Sequence, residues 1–360
     1  MRAPSLVSVV FMITALGVAG SARAGTTYWT DDHGFWDEPG NWSNGVPESD
    51  DDAFINNGGN AQIRYGAECD WLCLGYASGQ SGTVQMSADA GVSQFWTQSI
   101  GYGGTGTFVQ SGGLNDVYWD VSLAEGDDAS SGTYSITGGW LKAKYLNVGW
   151  VGSGWLQVNH SDAQIELSSG LYFGSDSRLT AVSGSTIHMV GGAAALGCAV
   201  QNWNTDPYDL SGLSNLAIVI ENGYPVSTYE VASAIDGGFA GNFSLGELTI
   251  GGTDAGNTLL VDSVDNGRRG AEGNECLYTH SLMINNGSTI NLGGFGLYVE
   301  GDVEAQLDGW IADGRLFDST LPMLDAVYDP TGGWTVVVPE PATSWLLILG
   351  AAPLLRRKRQ

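Results

Sequence analysis

A degenerate repeat of about 25 residues constrains the fold of this chain more than any other feature. An apolar–x–apolar triplet followed by a turn residue recurs at Gly75, Gly101, Ala124, Gly149 and Gly174, in steps of 26, 23, 25 and 25 residues. Each triplet leads through a short loop into a Gly-Thr or related pair and a second strand-like stretch. Because such a unit cannot bury its apolar face alone, a fixed period of this length indicates units stacked on a common core.

The alternation within each unit has a period of two. Leu72 and Leu74 in one unit, and Val121 and Leu123 in another, share a face, and the residues between them face the other way. The sequence therefore predicts an all-β fold, a right-handed parallel β-helix or β-solenoid of Gly-rich coils. An antiparallel sandwich, whose turns recur about every 8–12 residues, is the alternative.

The body of the chain divides by composition into three predicted segments. Residues 25–66 contain Trp29, Trp36 and Trp42 and are expected to form an N-terminal cap that covers the exposed strand edges of the first coil. The repeats occupy residues 67–192. Residues 193–338 are less regular, and they either continue the solenoid in imperfect coils or form a second β-domain.

The N-terminal segment predicts export. Residues 1–24 combine a basic start, an apolar run and small residues at Ala22 and Ala24, the pattern of a signal peptide that is cut after Ala24. We therefore expect signal peptidase to remove this segment and the protein to act at the cell surface or outside the cell.

The C-terminal residues 339–360 join a Pro-Glu-Pro sequence to a short apolar run and a basic end. The run 342–355 would form a hydrophobic helix of about 21 Å, against a hydrocarbon core of about 30 Å. We therefore expect this helix to insert in a membrane only transiently. The expected sorting residues are Pro339, Glu340, Pro341, Arg356, Arg357, Lys358 and Arg359.

Several stretches resemble a known class of bacterial proteins. The coil sequences "GTGTFVQSGG" and "SSGTYSITGG" are similar to the repeat shared by autotransporter passenger regions and proteins with a PEP-CTERM sorting tail, over roughly residues 72–192. The opening "NWSNGVP" and the closing "LYTHSLMINNGSTINLGG" resemble the flanks of such proteins, and the C-terminal tail resembles the sorting signal itself. The resemblance implies that an exosortase cuts near the Pro-Glu-Pro motif.

Charge and cysteine content limit the partners. The formal net charge of −26 should repel nucleic acid and anionic lipid and attract cations. Cys69 and Cys73 would lie about 13 Å apart in a straight strand, too far for a disulfide without a bend, and Cys198 with Cys276 is the other simple pairing. Export permits disulfides, but the sequence does not choose among the connectivities.

Two kinds of ligand site are predicted from residue types. By parity with the inward triplets, Phe95 and Tyr118 should face outward and stack on sugar rings, while Trp96 and Trp119 should face inward. Calcium, which prefers carboxylate oxygens on loops, is the expected ion for two acidic loops: Asp50, Asp51 and Asp52 in one, and Glu125, Asp127 and Asp128 in the other.

The sequence contains no G-x-S-x-G, P-loop or H-E-x-x-H motif. We therefore expect an exported, non-catalytic structural or adhesive protein of the cell envelope or exopolysaccharide matrix, with exopolysaccharide as a partner and no cofactor other than calcium. The alternative is a carbohydrate-active enzyme, a polysaccharide lyase or glycoside hydrolase on a β-helix scaffold. Hydrolases need a carboxylate pair at a defined separation, and no sequence pattern singles one out.

Overall fold

The structure is a computed structural model that describes residues 25–191, 197–222, 226–269, 273–321 and 323–339. The predicted signal peptide 1–24, with Ala22 and Ala24, lies outside the described residues. So do the predicted hydrophobic helix and most of the sorting motif, namely Glu340, Pro341, Arg356, Arg357, Lys358 and Arg359.

The N-terminal half is built of short strands with one 3₁₀ turn, Pro39–Asn41. Its strands are β1 Thr26–Tyr28, β2 His33–Phe35, β3 Asp52–Ile55, β4 Asn57–Ile63, β5 Glu68–Leu74, β6 Ser81–Met86, β7 Val92–Ile100, β8 Thr105–Gln110, β9 Leu114–Leu123, β10 Ser131–Ile136, β11 Trp140–Val148, β12 Ser153–Val158, β13 Gln164–Phe173, β14 Ser177–Ala181 and β15 Ser185–Met189.

The described residues of the C-terminal half add a second 3₁₀ turn, Ser211–Asn215, and one helix, α1, Glu304–Ala312. Its strands are β16 Ala199–Asn202, β17 Leu216–Ile220, β18 Ser227–Glu230, β19 Ser244–Ile250, β20 Asn257–Val261, β21 Cys276–Ile284, β22 Thr289–Asn291, β23 Gly296–Glu300, β24 Leu316–Phe317, β25 Leu324–Asp329 and β26 Trp334–Pro339.

Parallel pairing stacks these strands into a β-solenoid of about 11 turns. One sheet of 19 strands contains β5, β7, β9, β11 and β13 in succession, and a sheet of 7 strands contains β4, β6, β8, β10, β12 and β14. The repeat is in register, since Gly82, Gly106, Gly132 and Gly154 occupy one position in successive coils. The prediction of an all-β solenoid is confirmed.

The alternating pattern places apolar side chains in columns inside the solenoid. Leu72, Val121, Leu146 and Leu171 lie in one such column and are fully buried. Because each coil adds its apolar side chains to those of the next, a single contiguous core runs along the molecule.

Coil stacking starts earlier and ends later than the regular repeats. Strands β3 and β4, inside the predicted cap, already pair in parallel with β5 and β6. Trp29, Trp36 and Trp42 pack together at this end, with ring centroids 5.0 and 4.7 Å from Trp42. The parallel ladder continues through β24, so the less regular part extends the solenoid. Helix α1 contacts β24 and β25, and β26 pairs antiparallel with β23 and β25.

Two polar residues that interrupt the inward pattern, Gln98 and Gln110, belong to a buried network. The Gln98 amide exchanges two hydrogen bonds with the Asn115 amide, at 3.0 and 3.1 Å. Asn115 Nδ2 also donates to the Tyr134 hydroxyl, which donates to Gln110 Oε1 at 2.6 Å. These four side chains have no exposed surface. A fully paired buried network favours one register over its neighbours, because a shifted register leaves polar groups unpaired.

All four cysteines are buried free thiols, so neither pairing considered from the sequence is formed. Cys69 and Cys73 lie in the same strand, β5, and do not form a disulfide with each other. Burial raises the pKa of the Cys198 thiol to about 11. The thiols therefore serve as small apolar core groups.

The turn after the inward triplet has a left-handed backbone in four coils, at Gly75, Gly101, Ala124 and Gly149. Gly101 has φ +76°, and a Cβ atom there would lie 2.0 Å from the Ser131 carbonyl oxygen of the next coil. Gly79, with φ +79°, has a similar conformation but open space around it. This turn therefore favours glycine for two reasons: the backbone is left-handed, and the next coil lies too close for a Cβ atom.

Replacement of these two glycines separates the two effects. We expect Gly101→Ala to lower the free energy of unfolding by about 2–5 kcal/mol, because left-handed strain and a steric clash add. Gly79→Ala should lower it by only about 1 kcal/mol, from strain alone. Denaturant and thermal unfolding of both variants measure the difference. Equal destabilisation would contradict the close stacking of the coils.

A loop that joins β20 to β21 is held by buried carboxylates. Glu275 has no exposed surface, and its Oε1 accepts the backbone N–H groups of Asn266 and Arg268 at 3.0 Å each. The backbone N–H of Glu275 donates to Asp262, which also pairs with Arg269. Burial, together with the charge of Asp262, raises the pKa of Glu275 from 4.5 to about 7.

This carboxyl should make the protein more stable in mild acid. Its pKa is higher in the folded than in the unfolded chain, so its contribution is complete below pH 4.5 and is lost as the pH rises to about 7. Burial raises the pKa of Glu125 and Glu230 in the same direction. We expect a higher melting temperature at pH 5 than at pH 8, measured by calorimetry.

The Glu275→Gln variant should reduce this pH dependence, because the amide does not titrate but still offers an oxygen to the two N–H donors. Glu48→Gln is the matched control, since Glu48 is exposed. A pH dependence that is unchanged in Glu275→Gln would show that Glu275 is ionised in the folded protein at neutral pH.

Candidate ligand-binding face

The solenoid has a corner in the middle of its long strands, and this corner decides which aromatic residues are exposed. Strand β7 is irregular between Phe95 and Gln98, where its register with β9 shifts. Phe95 lies before the corner and is only 3% exposed, whereas Trp96 is 50% exposed. In β9, Tyr118 and Trp119 are both exposed, at 65% and 42%.

The predicted orientations of Phe95, Trp96 and Trp119 are therefore wrong, and only Tyr118 faces outward as expected. The prediction assumes that side chains alternate strictly between the two faces along the whole strand, starting from the inward triplet. At the corner, consecutive residues face outward, so the parity changes across it. The exposed pair here is Trp96 and Tyr118, stacked with centroids 4.3 Å apart.

Beyond the corner, the outer surface of β5, β7, β9, β11 and β13, extended at its two ends by β1 and β3 and by β16, forms the candidate face. The residue that follows each turn extends over it, which places Tyr76, Tyr102, Glu125 and Trp150 at equivalent positions of successive coils. The turn residues that precede them have φ between +59° and +76°. One coil thus presents a carboxylate where its neighbours present aromatic rings.

Aromatic rings cover the N-terminal part of this face. We call Tyr28, Phe54, Trp71, Tyr76 and Tyr102 the N-side ring group. Tyr76 and Tyr102 are nearly parallel with centroids 5.4 Å apart, and Trp71 contacts Phe54 and Tyr102 edge-on at 5.2 and 5.7 Å. Tyr28 and Tyr76 are 49% and 45% exposed, so the group presents a broad aromatic surface to solvent.

A second cluster covers the C-terminal part. We call Trp119, Tyr145, Trp150, Tyr172 and Trp203 the C-side ring group. Tyr172 is central, with centroids 6.1 Å from Tyr145, 6.2 Å from Trp150 and 6.0 Å from Trp203. Trp150 is 51% exposed.

Polar side chains of β7, β9 and β11, together with Glu125 just after β9, separate the two ring groups. We call Thr97, Ser99, Asp120, Ser122, Glu125 and Asn147 the polar strip. Trp71 Nε1 donates to Ser99 Oγ at 3.0 Å, and Ser99 Oγ donates to Glu125 Oε2 at 3.0 Å. From the other side, Asn147 donates to Ser122, which donates to Asp120 Oδ2 at 2.7 Å.

Both chains of hydrogen bonds therefore end on a carboxylate. Thr97 also donates to Asp120. Burial, and then the negative charge of Asp120, raise the pKa of Glu125. The two acids are thus held in place by neutral donors.

The turn before Glu125 is strained in a way that the equivalent turns are not. Ala124 has φ +59°, a left-handed conformation for a residue with a side chain, where Gly75, Gly101 and Gly149 stand in the other coils. Backbone strain of this kind concentrates at functional sites. It occurs here in the coil that carries both acids of the polar strip.

The acids of the two loops proposed for calcium do not converge on one point in the described structure. Among the residues that the structure describes, no three His, Cys, Asp or Glu side chains are grouped to hold a metal. Asp51 instead accepts the backbone N–H groups of Gly25 and Glu48, and Asp127 accepts that of Ala129. Asp52 lies half-buried on the outer face, where burial and then Asp70 raise its pKa.

The remaining members of these loops also lie apart. Asp50 and Asp128 are exposed, while Glu125 turns back over the sheet to Ser99. Carboxylates that satisfy backbone donors of their own turns do not converge on one point. These contacts give the calcium prediction no support, and calcium binding at the two loops stays a prediction.

Sequence reasoning missed the column of residues after the turns, although the signal was available. Tyr76, Tyr102, Glu125 and Trp150 follow the turn residues directly and share their spacing. Their convergence with Trp71 and Tyr172 depends on the stacking of coils, which brings residues more than twenty positions apart into contact.

The chain matches no protein-family model, no curated protein and no solved structure. Within the described part of the chain, none of the helices has the length and apolar character needed to cross a bilayer. The side chains of the candidate face are the observations from which a function is inferred.

Proposed function

We propose that this is an exported, non-catalytic structural or adhesive protein of the cell envelope or exopolysaccharide matrix, and that it binds polysaccharide on the candidate face. The observation that carries the proposal is the pair of ring groups aligned along the solenoid, each with half-buried and exposed members, with the polar strip between them. Contiguous exposed aromatic surface of this kind marks an interaction site in a soluble protein.

Polysaccharide suits both parts of this surface. The apolar face of a sugar ring packs on aromatic side chains, and its hydroxyl groups need hydrogen-bond partners such as carboxylates, amides and hydroxyls. The rings are held by the sheet and by one another, so little side-chain entropy is lost when a ligand packs on them.

The alignment of the two groups also favours a long ligand. Strands β5 and β11 carry Trp71 and Tyr145, and three strand spacings of about 4.8 Å place them about 14 Å apart. A chain of linked sugars can contact both groups at once, and the second contact then forms at a high effective concentration.

Removal of one ring from each group, the half-buried Tyr102 and the exposed Trp150, tests the proposal. We expect the double variant Tyr102→Ala/Trp150→Ala to bind neutral and charged polysaccharides at least about tenfold more weakly than the unchanged protein, because each lost ring contact is worth about 1 kcal/mol or more. Affinity electrophoresis against a panel of soluble polysaccharides measures the change.

The matched control is Tyr208→Ala/Trp155→Ala, which removes a tyrosine and a tryptophan exposed elsewhere, at 75% and 36%. Binding should be unchanged in this control. The proposal is wrong if the unchanged protein binds no polysaccharide, or if both double variants bind equally well.

The same incubations separate this proposal from the enzyme alternative. One coil carries two carboxylates, Asp120 and Glu125, with different hydrogen-bond partners. Catalytic acid and base pairs are characteristically two carboxyl groups in different environments, and burial raises the pKa of Glu125. New reducing or unsaturated ends, lost in Glu125→Gln, would establish hydrolase or lyase activity. We expect no new ends.

Export and sorting are proposed from the two terminal segments and are tested by intact mass. We expect the protein isolated from its native host to begin at Gly25 and to end near Pro339–Pro341, because signal peptidase and an exosortase remove the flanking segments. A mass that corresponds to the full 360 residues would contradict both steps.

A further inference from the structure

We propose that the polar strip selects polysaccharides that carry free, protonated amino groups. This inference rests on the proposed polysaccharide binding and names the class of sugar that the face prefers. The two carboxylates, the rings beside them and the distribution of basic residues all favour a cationic sugar over a neutral or an acidic one.

The carboxylates are the first observation. Asp120 and Glu125 accept hydrogen bonds only from neutral hydroxyl donors, Thr97, Ser99 and Ser122. If a bound neutral sugar covered these acids, it would remove water from negative charges without supplying a positive one. An ammonium group supplies both the charge and the hydrogen-bond donors.

The rings next to Glu125 favour the same group. Tyr102 and Trp150 occupy the equivalent positions on the coils before and after Glu125, about 4.8 Å away along the axis for each coil. The negative face of an aromatic ring attracts a cation, and clustered aromatic rings recognise alkylammonium ligands.

The face already holds one ammonium group in this way. Lys144 Nζ lies 3.8 Å from the centroid of Trp119 and 5.4 Å from that of Tyr145, both in the C-side ring group. An amino group of a ligand bound over Trp71 and Tyr102 would make the same cation–π contacts. It would also have the carboxylate of Glu125 nearby.

The polar strip contains no basic residue that could pair with the carboxylate of an acidic sugar. Each Lys and Arg in the described ranges contacts an acid or a ring: Arg64 with Asp37, Lys142 with Glu166, Lys144 with Trp119, Arg178 with Asp209, Arg268 with Phe243, Arg269 with Asp262 and Arg315 with Asp313. A uronate polymer would instead be repelled by the carboxylates of Asp120 and Glu125 and by the formal net charge of the protein, −26.

A polysaccharide fits better than a basic peptide, which could offer the same ammonium groups. The ring groups extend along several coils and present flat surface on both sides of the acids. Sugar rings fill such surface with their apolar faces, whereas lysine side chains are flexible and lose more entropy on binding.

The test compares three hexasaccharides that differ in charge: a glucosamine oligomer, its N-acetylated counterpart and a galacturonate oligomer. Calorimetric titration is done at about pH 6, where sugar amines are largely protonated and the carboxylates of the galacturonate oligomer are largely ionised. Roughly 0.15 M salt suppresses long-range attraction to the acidic protein. Hexalysine serves as the peptide probe.

We expect the glucosamine oligomer to bind about tenfold more tightly than the N-acetylated one, because hydrogen bonds to charged groups are the stronger ones. The Asp120→Asn/Glu125→Gln variant should lose this preference and keep its affinity for the N-acetylated oligomer, which also shows that it is folded. The control Asp162→Asn/Asp254→Asn removes two charges from exposed loops and should keep the preference.

The other outcomes overturn the inference. Equal binding of the two oligomers, or a preference that survives Asp120→Asn/Glu125→Gln, shows that the strip does not select amines. A preference lost equally in the control shows that net charge alone acts. Hexalysine binding as tightly as the glucosamine oligomer, with the same dependence on the two acids, rejects a sugar ligand. No binding of any oligosaccharide overturns the proposed function itself.

Discussion

The parallel, in-register hydrogen-bonded ladder between coils is the constraint on which the rest of this structure depends. It repeats each position of the coil at a spacing of about 4.8 Å, so a residue type at one position becomes a column along the molecule. Inside, this converts short apolar triplets into one continuous core. Outside, it converts the single residue after each turn into the line Tyr76, Tyr102, Glu125 and Trp150. The candidate face exists because of the stacking, since no single coil contains enough of it.

The coils that carry the polar strip also carry the buried polar network. Gln98, Asn115, Gln110 and Tyr134 lie inside β7 to β10, and Thr97, Ser99, Asp120 and Ser122 lie on the outer side of the same region. An apolar column tolerates a shift of register better than a set of hydrogen-bonded amides does. We infer that the internal network helps to fix the coils on which the acids are displayed, so that the two carboxylates keep their positions between the ring groups.

The sequence predicted the architecture well because the repeat and its alternation act over short distances. The turn positions, the inward triplets and the solenoid were all accessible from the period. Orientation failed at the corner, where Phe95 turns inward and Trp96 outward, because strict alternation does not include consecutive outward residues. The calcium prediction rests on composition, which identified the acids but not their partners: Asp51 and Asp127 accept backbone N–H groups of their own loops. The association of Trp71 with Tyr102, or of Tyr172 with Trp150, needed the stacking of coils before it could be recognised.

The central claim is that the face between the ring groups binds a sugar chain along the solenoid axis. A crystal structure of the protein with a glucosamine hexasaccharide tests it most directly. We expect electron density for sugars that cross Tyr102, Glu125 and Trp150 in order, with an amino group within hydrogen-bond distance of Asp120 or Glu125. A sugar chain bound on the 7-stranded sheet, or across the strip at right angles to the axis, would show that the candidate face does not bind the chain along the solenoid axis.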